Sequence, residues 1–234
     1  MLLVFGLVAC GTDAEETGST LSPAERTTPS TSSTTVGATT TVPPLGGEEI
    51  QFGPQSGDVL AVVGVAHDDV LNLRNGPGVE RAVVSEIEPH YSELVAEGLT
   101  RQLENSFWIA VNHGDTGGWL NLAYVAYLGE TTDGLDFADS QLGGDPVSDS
   151  VEDLGLRVAE LYASDEPRSE LVVTQAPDAD VPDTVVVDVI GLGDDSVFGV
   201  RIRVVAQKTA GLWGLAAVEV TSLCGRGVSD GLCV

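Results

Sequence analysis

From residue 57 onward the chain is cut into short apolar runs, and this punctuation constrains the fold more than any other feature. Residues 59–65, 71–74, 82–85, 93–96, 107–111 and 118–122 are strand-like, rich in Val, Leu and Ile, and separated by Gly, Pro, Asn and Asp. A spacing of about 8–15 residues between such runs predicts a small antiparallel barrel. Leu71 and Leu73 alternate with Asn72 and Arg74, so the two pairs face opposite sides of a strand. A tight turn over Asn75-Gly76-Pro77-Gly78 follows.

The second half changes period once. Ser148 or Ser150 stands where a helix cap is expected, with Asp153 three positions after Ser150. Val151, Leu154, Val158, Leu161 and Tyr162 then recur at helical spacing, and the helix should stop near Ala163, before Pro167. Four strands are predicted after it, at 171–176, 184–192, 197–207 and 212–223, with hairpin turns at 191–195 and 209–211. Val200, Ile202, Val204 and Ala206 alternate with Arg201, Arg203, Val205 and Gln207, a half-buried pattern. One helix on an antiparallel sheet is a two-layer α+β arrangement. The predicted fold class is therefore mainly β: a small barrel over residues 57–129, a connector over 130–145, and an α+β domain over 146–234.

What precedes residue 57 reads differently. Residues 2–8 are apolar, and Leu7-Val8-Ala9-Cys10 resembles a bacterial lipobox. The resemblance implies a lipoprotein signal peptide over 1–9, a Cys10 that carries a diacylglycerol thioether, and an anchor on the extracytoplasmic face of the cell membrane. Two or three acyl chains, at about 0.8 kcal/mol per buried methylene, hold a protein where one does not. No Lys or Arg precedes the apolar run, which leaves a start upstream of Met1 open. Residues 10–50 follow as a stalk. Two-thirds of the stretch 17–44 is Ser, Thr or Pro, a composition that cannot offset chain entropy by burial and is expected to be disordered. Its Thr and Pro density also matches O-glycosylated stalks.

Charge narrows the partners. Ten Lys+Arg against thirty-six Asp+Glu give a formal charge of -26, and Lys208 is the single lysine. Such a body repels nucleic acid and anionic headgroups, so membrane contact is expected through the lipid anchor only, and nucleic acid is not an expected partner.

Three motifs in the middle segment carry a family resemblance. Leu71-Asn72-Leu73-Arg74-Asn75-Gly76-Pro77-Gly78 is similar to the "LNVRSGPG" signature of bacterial SH3 (SH3b) domains. Phe107-Trp108-Ile109-Ala110-Val111 resembles the "WYKV" strand. Residues 117–125, with Trp119 and Tyr124, resemble the "GWVHSSYV" end, where a short helical turn precedes the last strand. The resemblance covers about 70 residues. It departs from the family in a long acidic stretch, 88–106, and in Pro89-His90-Tyr91 where "PKGT" is common. It implies an extracytoplasmic module that binds peptidoglycan or an envelope protein and is rarely the catalyst. The residues that could line a ligand groove are Tyr91, Trp108, Trp119, Tyr124 and Tyr127, with Trp108 and Trp119 also fitting core positions. Alternatives are a cell-wall hydrolase targeted by this domain, and a protein–protein scaffold or inhibitor acting through residues 146–234.

Other chemistry is thinly represented. Cys224 and Cys233 are expected to form a disulfide on an oxidising side of the membrane; a metal site would lack companion ligands and a redox pair would stand closer together. His67, His90 and His113 all fall in or beside predicted turns, and no histidine follows His113. A Ser-His-Asp site in the second half is thereby excluded, and no catalytic residue, metal or cofactor is expected.

Overall fold

Alternating apolar residues between turn signals dictate strands, and strand outweighs helix by 49 % to 11 % in the computed structural model. The structure describes residues 45–234; Cys10, the signal over 1–9 and all but the end of the predicted stalk lie outside them. The first half runs as β1 (Glu48–Ile50), β2 (Val59–Val62), β3 (Leu71–Arg74), β4 (Val83–Ile87), β5 (Leu94–Leu103), β6 (Ser106–His113), β7 (Thr116–Asn121) and β8 (Val125–Asp133), with a 3-10 turn over Leu122–Tyr124 before β8. The second half adds α1 (Leu135–Gln141), β9 (Val147–Ser148), α2 (Val151–Glu160), β10 (Glu170–Gln175), β11 (Thr184–Ile190), β12 (Val197–Thr209), β13 (Leu212–Cys224) and the small hairpin β14 (Val228–Ser229) and β15 (Leu232–Cys233).

All but that hairpin belong to one curled antiparallel sheet. Its order is β10-β11-β12-β13-β8-β2-β5-β6-β7-β3-β4, with β1 added on β5 and β9 on β13. The continuity comes from β8: Val125 and Ala126 pair with Val62 and Ala61 of β2, while residues 127–133 pair with β13. Apolar side chains fill the inside of the curl, led by Leu60, Leu73, Ile87, Leu94, Ile109 and Leu120. A second core lies between α2 and the sheet, with Leu154 and Val158 against Val185, Val187, Ile202 and Val204.

Three segments depart from the sequence expectation. The end of the predicted stalk, Glu48–Ile50, is strand β1, paired with residues 100–102 of β5 and supported by a Glu49–Arg101 contact at 3.6 Å. The long acidic stretch contains the ten-residue β5, whose first half pairs with β2 and whose second half, past a bulge between Ala96 and Thr100, pairs with β1. The predicted connector 130–145 contains the end of β8 and helix α1, because Ala138 is buried against the second core and Leu135 packs beside it. Asp133 Oδ1 accepts the Leu135 N–H at that helix start.

Capping of α2 follows the sequence closely. Ser150 Oγ accepts the Asp153 N–H at 3.0 Å, while the Asp153 carboxylate accepts from Ser148 Oγ at 2.7 Å. At the β12–β13 turn Ala210 takes φ 52° and Gly211 φ 95°, the left-handed pair that a tight two-residue hairpin needs. Cys224, buried at the end of β13, is at disulfide distance from Cys233, with Cα atoms 5.1 Å apart. Closing that loop stabilises the fold by roughly 2.5–3 kcal/mol in the chain-entropy account.

Candidate binding groove

Consecutive buried residues on β6 reveal that its sheet is covered on both faces. Ile109 and Val111 point into the curl, while Trp108 and Ala110 join Trp119 and Leu103 in a small apolar cluster on the outer face. Register fixes their neighbours: Trp108 stands opposite Asn121, Ala110 opposite Trp119, and Trp119 opposite Arg74. Asn72, two positions from Arg74 on β3, shares that outer face.

Here the outer face meets the other half of the sheet. A groove of about 400 Å³ is lined by Asn72, Arg74, Trp108, Asn121 and Tyr124 on one side and by Glu170 and Val172 of β10 on another. Gly64, Val65 and Ala66 from the turn after β2, together with Asp69, Val70, Leu71 and Val79, complete it. Several polar groups are held in place. Arg74 Nη1 donates to the Arg81 carbonyl at 2.7 Å, and Asn121 Oδ1 accepts the Ala123 N–H at 3.0 Å. Trp108 Nε1 donates to Ser106 Oγ at 2.9 Å, and Asp69 Oδ1 accepts the Val70 N–H at 2.8 Å. Tyr124 is the open aromatic, 42 % exposed, whereas Trp108 is 3 % exposed and forms a back wall. A guanidinium, two amides, a phenol and two carboxylates around an apolar floor can orient a polar ligand by hydrogen bonds.

The five aromatics singled out from sequence do not form one surface. Trp108 and Tyr124 line the groove, and Trp119 is packed beside Trp108 in the outer cluster. Tyr91 sits against the inner core, its ring edge-on to His113 at 4.7 Å between centroids. Tyr127 donates its hydroxyl to Asp58 Oδ2 at 2.6 Å; burial raises its pKa above the ordinary tyrosine value, and the adjacent Asp58 raises it further. Asn72 and Arg74 were visible in the sequence as the outward side of a strand, without a signal that marked them as binding residues. Glu170 and Val172 reach the groove only through tertiary folding, about a hundred residues away in sequence.

Two other places gather polar side chains. A hollow of about 470 Å³ near α1 gathers Asp136, Asp139 and Asp145, and Asp139 already spends an oxygen on the Asp145 N–H at 2.7 Å. Ser85 Oγ lies 3.3 Å from His113 Nδ1, yet among the described residues no carboxylate hydrogen-bonds that ring, so the orienting third group of a nucleophile–base pair is missing. Among the described residues no group of three His, Cys, Asp or Glu side chains is arranged to hold a metal ion.

Comparisons of the chain with family models, characterised proteins and solved structures give no match.

Proposed function

We propose that this protein is a non-catalytic lipoprotein of the cell envelope, anchored through Cys10 on the extracytoplasmic face of the membrane, whose SH3-like segment binds peptidoglycan or an envelope protein. The observation that carries this reading is a convergence. Each of the three SH3b-like motifs contributes to one groove: Asn72 and Arg74 from the first, Trp108 from the second, Asn121 and Tyr124 from the third. Sheet register makes these residues neighbours on one outer face, and that face is left open as a concavity beside β10. Binding rather than chemistry is favoured by the groove lining, which among the described residues includes no nucleophile beside a base.

The test is co-sedimentation of the chain, freed of lipid by Cys10→Ser, with purified peptidoglycan across a salt series. With a formal charge of -26, attraction to an anionic wall by charge alone is unfavourable. Pelleting that is lost in Arg74→Ala supports wall binding through the groove. Absence of pelleting at every salt concentration directs the search to an envelope protein, and crosslinking in intact cells then decides whether any partner contacts the groove.

A further inference from the structure

We infer that the β10 edge of this groove accepts an extended polypeptide strand from a basic extracytoplasmic partner protein, an inference that rests on the binding reading above. Among the described residues strand β10 ends the sheet, paired only with β11 on its inner side. Backbone hydrogen bonds fix the phase of that pairing. The Gly191 N–H donates to the Phe198 carbonyl, so along β11 the residues in step with it, Val189 and Val187, exchange hydrogen bonds with β12. Asp188 and Ile190 therefore bond to Val172 and Glu170 of β10, and the backbone groups of Leu171 and Val173 face away from the sheet. A second contact fixes the same phase independently: the Val173 carbonyl accepts the His67 N–H at 2.9 Å.

His67 thus makes one rung on this open edge. Leu171, the next outward residue, has no backbone partner on that side among the described residues. The edge carries a bulge between Val173 and Gln175 and a charge at Glu170, but its N-terminal part around Leu171 lies before that bulge, and Glu170-Leu171-Val172-Val173-Thr174-Gln175 contains neither lysine nor proline. Side chains divide as pairing would require. Leu171 and Val173 pack on the helix-side core, while Glu170 and Val172 line the groove. A strand laid against Leu171 would place alternate side chains in the groove, near Asn72, Arg74 and Tyr124.

The chemistry of the occupant follows from the walls. Asp69 and Glu170 flank the site on a body of charge -26, and Arg74 is the one cation in the lining among the described residues, so a strand bearing Lys or Arg is complementary. The amides of Asn72 and Asn121 match peptide groups.

The experiment follows backbone amide signals of the Cys10→Ser chain by NMR during titration with three capped pentapeptides. One is Lys-Val-Lys-Val-Lys, the second has Glu in place of each Lys, and the third is the Lys peptide with both Val nitrogens methylated. The expected result is that the Lys peptide shifts the Leu171, His67 and Asp69 signals and slows exchange of the Leu171 amide. The Glu and N-methyl peptides should bind at least about ten-fold more weakly. Leu171→Pro removes an outward N–H without touching the β11 ladder and should weaken the Lys peptide by about ten-fold as well. Equal binding of the N-methyl peptide, or unmoved Leu171 signals at millimolar Lys peptide, overturns the strand inference. If wall pelleting still requires Arg74 in that case, the binding reading stands without it. If neither wall nor any peptide perturbs the groove and crosslinking in intact cells finds no partner there, both fall.

Discussion

Arg201 and Asp188 face each other directly across β12 and β11, with Nε to Oδ1 at 2.7 Å and Nη2 to Oδ2 at 2.8 Å. The Asp188 side chain is fully buried. Both partners are completed by the other half of the molecule: the Gly64 N–H donates to Asp188 Oδ2 at 2.9 Å, and Arg201 Nη2 donates to the Val62 carbonyl at 2.7 Å. The pair therefore links the end of β2 to the middle of the helix-backed sheet, close to the groove turn at Gly64. Removing one partner strands the other charge. Arg201→Met is expected to destabilise the protein by about 3–5 kcal/mol, and the double change Asp188→Leu/Arg201→Met by distinctly less. Urea unfolding of the two variants checks the order, and a double variant as unstable as the single one would contradict it.

Gly155 lies in α2 where the helix touches the sheet, and a Cβ there would fall 2.3 Å from Val185 Cγ1. Helix propensity alone predicts that Gly155→Ala gains about 1 kcal/mol. Val185 is buried and β-branched, so it cannot turn aside cheaply. Overpacking should win, with a net loss of about 1–3 kcal/mol. Thermal unfolding of Gly155→Ala beside Gly155→Ala/Val185→Ala tests this, since the second change restores the room.

Local patterning made most elements readable. Strand β3 was predicted at its observed bounds, and the Ser150 cap of α2 was identified from spacing alone, because both depend on neighbours within a few residues. The polar role of Arg201 was not readable. Alternation with Val200 and Ile202 suggested a residue on the open side of a half-buried strand, while the structure covers it with β2. Arg203, with the same pattern, does remain at the surface beside Glu219 at 3.3 Å. The difference arises from pairing between distant segments, on which period-2 alternation carries no information. Likewise α1 is too short for a clear apolar period, and its stability comes from Ala138 and Leu135 on the second core. Half of the groove was visible as motif residues and the β10 wall was not.

Burial and Asp58 both favour the neutral phenol of Tyr127, and burial does the same for Tyr162. A tyrosine whose folded pKa lies above its unfolded value of about 10 lends stability that is present in full below that pH and is lost as pH rises beyond it. The protein should therefore show a melting temperature that falls above about pH 10. Tyr127→Phe should flatten that alkaline slope, and Tyr127→Phe/Tyr162→Phe should flatten it further. At neutral pH Tyr127→Phe is expected to cost about 1 kcal/mol through loss of the hydrogen bond to Asp58. A slope identical in all three proteins would show that these phenols do not govern the alkaline limb.

Trp108 and Tyr124 border the same groove from opposite ends of the exposure scale, and this separates stability from binding. Trp108 anchors the outer apolar cluster with Ala110 and Trp119, so Trp108→Ala should cost about 3–5 kcal/mol of folding stability. Tyr124 is 42 % exposed, in a one-turn 3-10 segment, so Tyr124→Ala should change stability by less than about 1 kcal/mol. If the groove is the binding surface, Tyr124→Ala nevertheless weakens whichever ligand the sedimentation and titration experiments identify, by about ten-fold as one open aromatic contact is removed. Arg74→Ala should also weaken it, with some loss of stability because the Arg74 guanidinium holds the Arg81 carbonyl in the turn after β3. Melting temperature and affinity measured on the same three variants decide the point, because a purely structural groove would show affinity tracking stability, with Tyr124→Ala indistinguishable from the parent.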